Sequence, residues 1–171
     1  MLKLAGALFI LLAGGLTGLH MSRQYTGRPR QIRQLIQALQ RLETEISYGS
    51  TPLGDAFASI ARQLSGPVAQ LMEEAAKELA AETVDTRQAL ERSAERCWQR
   101  TALRAAERDI WLHLGSILGV SDRDDQIRHL RLAMSQLKTE ETAALEDERR
   151  YAPMWRSLGV LGGALIAILL Y

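Results

Sequence analysis

The sequence predicts an all-α fold: a cytoplasmic bundle of about six helices, flanked by an N-terminal and a C-terminal transmembrane helix. Three observations carry this. Apolar residues through the middle recur at steps of three and four, the signature of helices with one buried face, and no segment alternates with a period of two. Both ends of the chain are apolar and nearly free of charge, and arginines crowd the inner flank of each. Of the 171 residues, 47% are apolar and 24% charged, a composition that folds around a core. The net charge of +1 hides strong segregation along the chain. The expected boundaries are a span over 2–22, a helical domain over 23–153 and a second span over 154–171.

From Leu4 to Ser22 no side chain is charged if His20 is neutral. About 19 residues of helix reach roughly 28 Å, close to a hydrocarbon thickness. Gly14 and Gly18 stand at the spacing of a close helix contact, a weak signal in a glycine-rich segment. A signal peptide is the competing account, but Thr17, Gly18, Leu19 and His20 make a poor cleavage site. An uncleaved anchor is therefore expected. At the other end, Ser157–Tyr171 gives only about 22 Å of helix; Met154, Trp155 and a snorkelling Arg156 extend it to about 27 Å. A buried core helix is the competing account there. Arg23, Arg28, Arg30 and Arg33 follow the first span, and Arg149, Arg150 and Arg156 precede or open the second. Both flanks put the middle of the chain in the cytoplasm.

Between the spans the elements follow in order. Arg28, Pro29 and Arg30 start a helix whose stripe is Ile32, Leu35, Ile36, Leu39, Leu42 and Ile46, lasting to about Tyr48 and closed by Gly49. Thr51 as N-cap with Pro52 at the first position starts a second, towards Leu64. Ser65, Gly66 and Pro67 break it, and Val68, Leu71, Met72, Ala75 and Leu79 form a third stripe. A fourth begins near Thr86 and carries Leu90, Ala94, Cys97 and Trp98. A fifth uses Leu103, Ala106, Ile110, Trp111, Leu114, Ile117 and Leu118 and stops at Gly119; no breaker separates it from the fourth, so one continuous helix or two both fit. Ser121, Asp122, Arg123 and Asp124 open the last helix, which meets no breaker until Pro153 and so leads directly towards the second span.

The residues that carry chemistry are sparse. His20, His113 and His129 have no metal-ligand spacing among themselves or with Cys97, which reads as a buried core thiol. The acids of "SDRDDQ" lack the glycine and closing glutamate of a calcium loop and read as helix-start residues. Glu73, Glu74, Glu140 and Glu141 have basic neighbours and read as a solvated, salt-bridged face. No phosphate-cradling or nucleophile motif occurs. Few aromatics and no dense basic block speak against nucleic acid. The expectation is no enzyme, no cofactor and no metal, but a surface presented at a membrane.

The blocks "RPRQIRQLIQALQRLETEISYGSTPLGDAF", "WQRTALRAAERDIWLHLGSILGVSDRDDQIRHL" and "RRYAPMWRSLGVLGGALIAILL" resemble the stage III sporulation protein AB family of endospore-forming bacteria, over nearly the whole chain. "EISYGSTPL" and "LGSILGVSDRDDQ" are the most specific parts. The resemblance implies a component of a channel-like complex between mother cell and forespore, sitting in the outer forespore membrane with its domain on the mother-cell side. It also implies a soluble region similar to a cytoplasmic domain of the platform proteins of type II secretion and type IV pilus machines. The partner implied is the operon's ATPase, stage III sporulation protein AA, together with other membrane components of the complex; a homo-oligomer stays open. No catalytic residue comes with the family. For a partner- or lipid-binding surface the expected residues are the charges near the membrane: Arg28, Arg30, Arg33, Glu43 and Glu45. Two other classes compete: a two-span signalling module with an extracytoplasmic helical domain, and a lipid-surface scaffold.

Overall fold

The computed structural model describes residues 26–48, 51–81 and 84–170, with the side chains of 152, 155, 156, 158–160 and 162–170 outside the description. All regular structure among the described residues is helical. Helix α1 covers 26–48; α2 is Leu53–Gln63, α3 Pro67–Ala80, α4 Thr86–Cys97, α5 Ala105–Gly115 and α6 Arg123–Leu170. A single 3-10 turn, Trp98–Arg100, follows α4. The chain divides into two compact units, one of Arg30–Thr142 and one of Met1–Pro29 with Ala143–Tyr171. In the second, Arg28 pairs with Asp147 at 3.9 Å and the guanidinium of Arg150 lies 5.6 Å from the Tyr151 ring centre.

The expected span 2–22 lies outside the described residues. Residues 154–170 are helical, although most of their side chains lie outside the description. Among the described residues no helix is long and apolar enough to cross a membrane.

Most helix ends follow local chemistry. Asp85 caps α4, accepting from the Gln88 N–H at 2.7 Å, and Asp122 accepts from the Asp125 N–H at 2.8 Å at the start of α6. Pro67 occupies the first turn of α3. The start of α2 differs by one residue from the expected cap: Pro52 is the N-cap without a side-chain bond, and the Thr51 hydroxyl donates to Glu45 Oε2 at 3.2 Å. Gly49, the expected end of α1, lies outside the described residues. Helix α1 is already formed at 26, upstream of the start expected at Arg28. Helices α4 and α5 are separate. Thr101 is extended, its hydroxyl donates to Trp98 O at 2.7 Å and accepts from the Leu103 N–H at 3.2 Å. The Gln31 side chain accepts the Ala102 N–H at 2.7 Å, so α1 supplies part of what a continuing helix would have given. Glu107 then accepts from the Arg104 N–H at 2.6 Å and opens α5.

In the unit Arg30–Thr142 consecutive helices pack on one another, α2 on α3, α3 on α4 and α4 on α5. The core collects Ile32, Leu35, Leu39 and Leu42 from α1, Phe57 and Ile60 from α2, and Leu71 and Met72 from α3, all 2% exposed or less. Trp111 lies at its centre, 1% exposed, edge-on to Phe57 with ring centres 5.9 Å apart. Its indole N–H donates to Leu90 O (3.1 Å) and Ser93 Oγ (3.3 Å), and Ser93 Oγ donates to Leu90 O (2.8 Å), so the buried polar atoms are satisfied. Two glycines allow close approaches. A side chain at Gly115 would meet Arg87 Cα at 3.1 Å, which lets α5 lie against α4. Gly119 has φ 79°, and a Cβ there would stand 2.8 Å from Thr86 Oγ1.

Three carboxylates lie inward. Glu107 is fully buried, and Ala106, expected in the α5 stripe, is exposed instead. Glu141, expected on a solvated face, is 2% exposed. It accepts from Arg33 Nε (2.8 Å) and Lys138 Nζ (2.6 Å), joining α1 to α6. Arg131 and Glu43 pair at 2.7 Å along the same two helices. Equal steps in opposite directions along α1 and α6 lead from one pair to the other, so these helices are antiparallel and the two ends of this unit lie together. Glu78 does the same for α3 and α4, held by Arg92 at 3.0 Å and Arg96 at 2.6 Å, with Glu74 also on Arg96.

Two predictions follow from this packing. Lys138, then Arg33, hold the Glu141 carboxyl below its ordinary range against the opposing effect of burial, and Arg92 does so for Glu78. A carboxyl whose pKa is lower folded than unfolded contributes stability that is present above the unfolded value, about 4.3, and is lost as pH falls through the folded value. Urea midpoints are therefore expected to be flat from neutrality down to about pH 5 and to fall below that, with a shallower fall in Glu141→Gln and Glu78→Gln. Gly119→Ala is expected to cost about 1–2 kcal/mol for left-handed backbone alone, plus the clash with Thr86, read as a lowered urea midpoint with unchanged slope.

Candidate functional site

Residues 45–46 and 51–53 come together with 119–126, far apart in sequence, at one end of the bundle. Ile46 from α1, Leu53 from α2, Gly119 from the α5–α6 turn, and Arg123 and Gln126 from α6 line a recess of about 200 Å³, with Glu45 and Thr51 at its edge. Each side of it is locally fixed. Thr51 is tied to Glu45, and the Gln126 amide donates to Ser121 O at 2.8 Å, pinning the turn to the first coil of α6. Gly119 lets that turn lie directly on Thr86, the first residue of α4. Two large apolar side chains on these segments face solvent: Tyr48 is 90% exposed and Val120 77%. Burial of such groups against a partner is favourable, whereas leaving them in water gains nothing.

The charges expected to form a binding surface do not gather in one place. Arg28 is 5% exposed and pairs with Asp147 within its own unit, so it is no free surface charge. Arg30 is exposed. Arg33 is half-exposed yet engaged with Glu141, and Glu43 is engaged with Arg131, so both hold α1 to α6. Of the five, only Glu45 lies at the recess. The exposed pair Tyr48 and Val120 was missed by periodicity. The signal for it was present: Tyr48 falls outside the three- and four-residue steps that end at Ile46, and Val120 follows the glycine that ends the α5 stripe.

Other features are structural. A shallow groove of about 770 Å³ between α2 and α3 has a floor of small residues such as Ala58, Ala61 and Ala76 and a rim of both signs, Asp55, Arg62, Glu73 and Lys77. Cys97 is buried, its thiol 3.8 Å from Gln70 O, and burial pushes the thiol pKa up, which keeps it protonated and unreactive. The His113 and His129 rings lie 5.9 Å apart, but among the described residues no three His, Cys, Asp or Glu side chains could hold a metal ion.

The family model described as stage III sporulation protein AB matches residues 3–171. Stage III sporulation protein AB of Bacillus subtilis (strain 168) is 41% identical over 170 residues, covering 99% of each chain. A solved structure of a stage III sporulation protein AB covers 72% of this chain and 98% of its own, with 38% identity and a TM-score of 0.69. The all-helical bundle, the paired motif segments and these matches together place the chain in the stage III sporulation protein AB family.

Proposed function

We propose that this protein is a non-enzymatic, membrane-anchored platform of the sporulation-specific, secretion-like channel complex between mother cell and forespore. Its bundle couples the complex's cytoplasmic ATPase to the membrane assembly. The observation that carries this reading is the common exit of both ends of the Arg30–Thr142 unit, tied by Arg33 and Glu141. The chain thus enters and leaves this unit at one end, which suits a domain tethered to a bilayer through both of its termini. Membership of a sporulation family supports the setting. The arginines that follow 2–22 and precede 154–171 support a cytoplasmic bundle under the positive-inside rule. A site built of packed side chains and exposed apolar groups suits binding better than bond-making, since catalysis needs a positioned reactive group.

Topology and partner are tested together in the full chain. Wild-type Cys97 is buried and is expected to give little background with a membrane-impermeant maleimide. In a Cys97→Ala background, cysteines at Ser65 and Arg100, both exposed, are expected to label only after lysis of sporulating cells. Affinity capture of the labelled protein is then expected to retain stage III sporulation protein AA. Labelling in intact cells would put the domain outside and end the platform reading in favour of a signalling module. Labelling after lysis with binding that tracks anionic lipid and not the ATPase would leave a lipid-surface scaffold.

A further inference from the structure

The recess lies at the end of the Arg30–Thr142 unit opposite the one where the unit's first and last residues meet. Both ends of the Arg30–Thr142 unit meet at Arg33 and Glu141. From Arg30, α1 runs to 48, about 27 Å away at 1.5 Å per residue. There Tyr48 and Val120 stand in solvent. Three helices, α2, α4 and α6, begin at this end with acids: Asp55 on α2, Asp85 capping α4, Asp122 and Asp124 on α6. Asp55, Asp122 and Asp124 are exposed and carry no ion pair among the described residues, and the cation at the recess is Arg123. The recess, about 200 Å³, is smaller than the roughly 300–1,000 Å³ of small-molecule sites. It has room for one side chain.

We propose that this end is the docking surface of the bundle. Its occupant is a basic protein face whose central leucine- or phenylalanine-sized side chain enters the recess against Tyr48 and Val120, while lysines and arginines around it meet Asp55, Asp122 and Asp124. An exposed tyrosine two residues from a recess that also holds Glu45 and Arg123 has features of an interface hot spot. The charge selects the occupant. Anionic head groups are repelled by the acids that begin the helices at this end. A second copy related by a two-fold axis would set this acid-rich end against itself. A basic partner gains from all of these acids. The inference rests on the platform reading for the identity of that partner, the ATPase, and adds where and by what chemistry it binds.

The test uses the full chain in nanodiscs and purified stage III sporulation protein AA, with binding followed by interferometry. Tyr48→Ser with Val120→Ser is expected to weaken binding at least tenfold, and Asp55→Lys with Asp124→Lys about as much. The Tyr48 and Val120 pair changes exposed residues and should melt like wild type, whereas lysines in the first turns of α2 and α6 lower the melt somewhat, so binding is compared well below both melts. Wild-type affinity is expected to fall as salt rises, and Arg100→Glu, at the other end of the bundle, to leave it unchanged. Wild-type binding that neither pair of changes weakens, or that Arg100→Glu weakens equally, would overturn the surface and leave the platform reading intact. No binding by wild type would remove the platform reading and this partner with it. Self-association lost in the Tyr48 and Val120 variant would assign the end to a second copy and overturn the proposal.

Discussion

The bundle is closed by its first helix meeting its last, and that contact depends on a buried carboxylate. Glu141 has almost no contact with water, and a lone charge in that position would be costly. Arg33 and Lys138 remove the cost from opposite sides, one from α1 and one from α6 itself. Both cations keep their outer surface in solvent, which limits the desolvation that makes fully buried pairs unprofitable. Because the pair joins α1 to α6, it fixes where the chain enters and leaves the unit. The position of the recess at the far end follows from that closure and the length of α1.

A second constraint acts inside. Trp111 fills the centre, but its indole N–H needs a partner there, and the α4 backbone at Leu90 together with Ser93 supplies it. That bond sets the level at which α5 lies along α4, and Gly115 lets the two approach closely enough to make it. The turn after α5 is then delivered onto Thr86, where only a residue without Cβ fits at Gly119. The position of Val120 at the surface is thus a result of packing two turns away.

Much of this was legible in the sequence, because a helix advertises its buried face through period. The stripes of α1, α3 and α4 name most of the residues that form the core, and the break at Ser65–Pro67, the start near Thr86 and the acids of Ser121–Asp124 fall at helix ends. What was not legible depends on residues distant in sequence. The break after Arg100 has no glycine or proline; it needs Gln31 from α1 to take the Ala102 N–H. Glu141 looks like a surface acid because its partner Arg33 is visible only once α1 and α6 are stacked. The motif residues around Ile46 and Gly119 form one locality, and Arg28, Arg33 and Glu43, chosen as charges near the membrane, are engaged within the fold.

The closure between Arg33 and Glu141 also sets an order of events during synthesis. These residues are 108 positions apart, which a ribosome covers in roughly 5–20 s. Helices α2 to α5 pair with their neighbours in sequence, and such local contacts form early and fast. Helix α1 must wait with its Arg33 unmatched until α6 has emerged. The recess, which needs both α1 and the start of α6, is therefore assembled among the last parts of the molecule, and a chain released short of Glu141 lacks the ion pair that closes the opposite end.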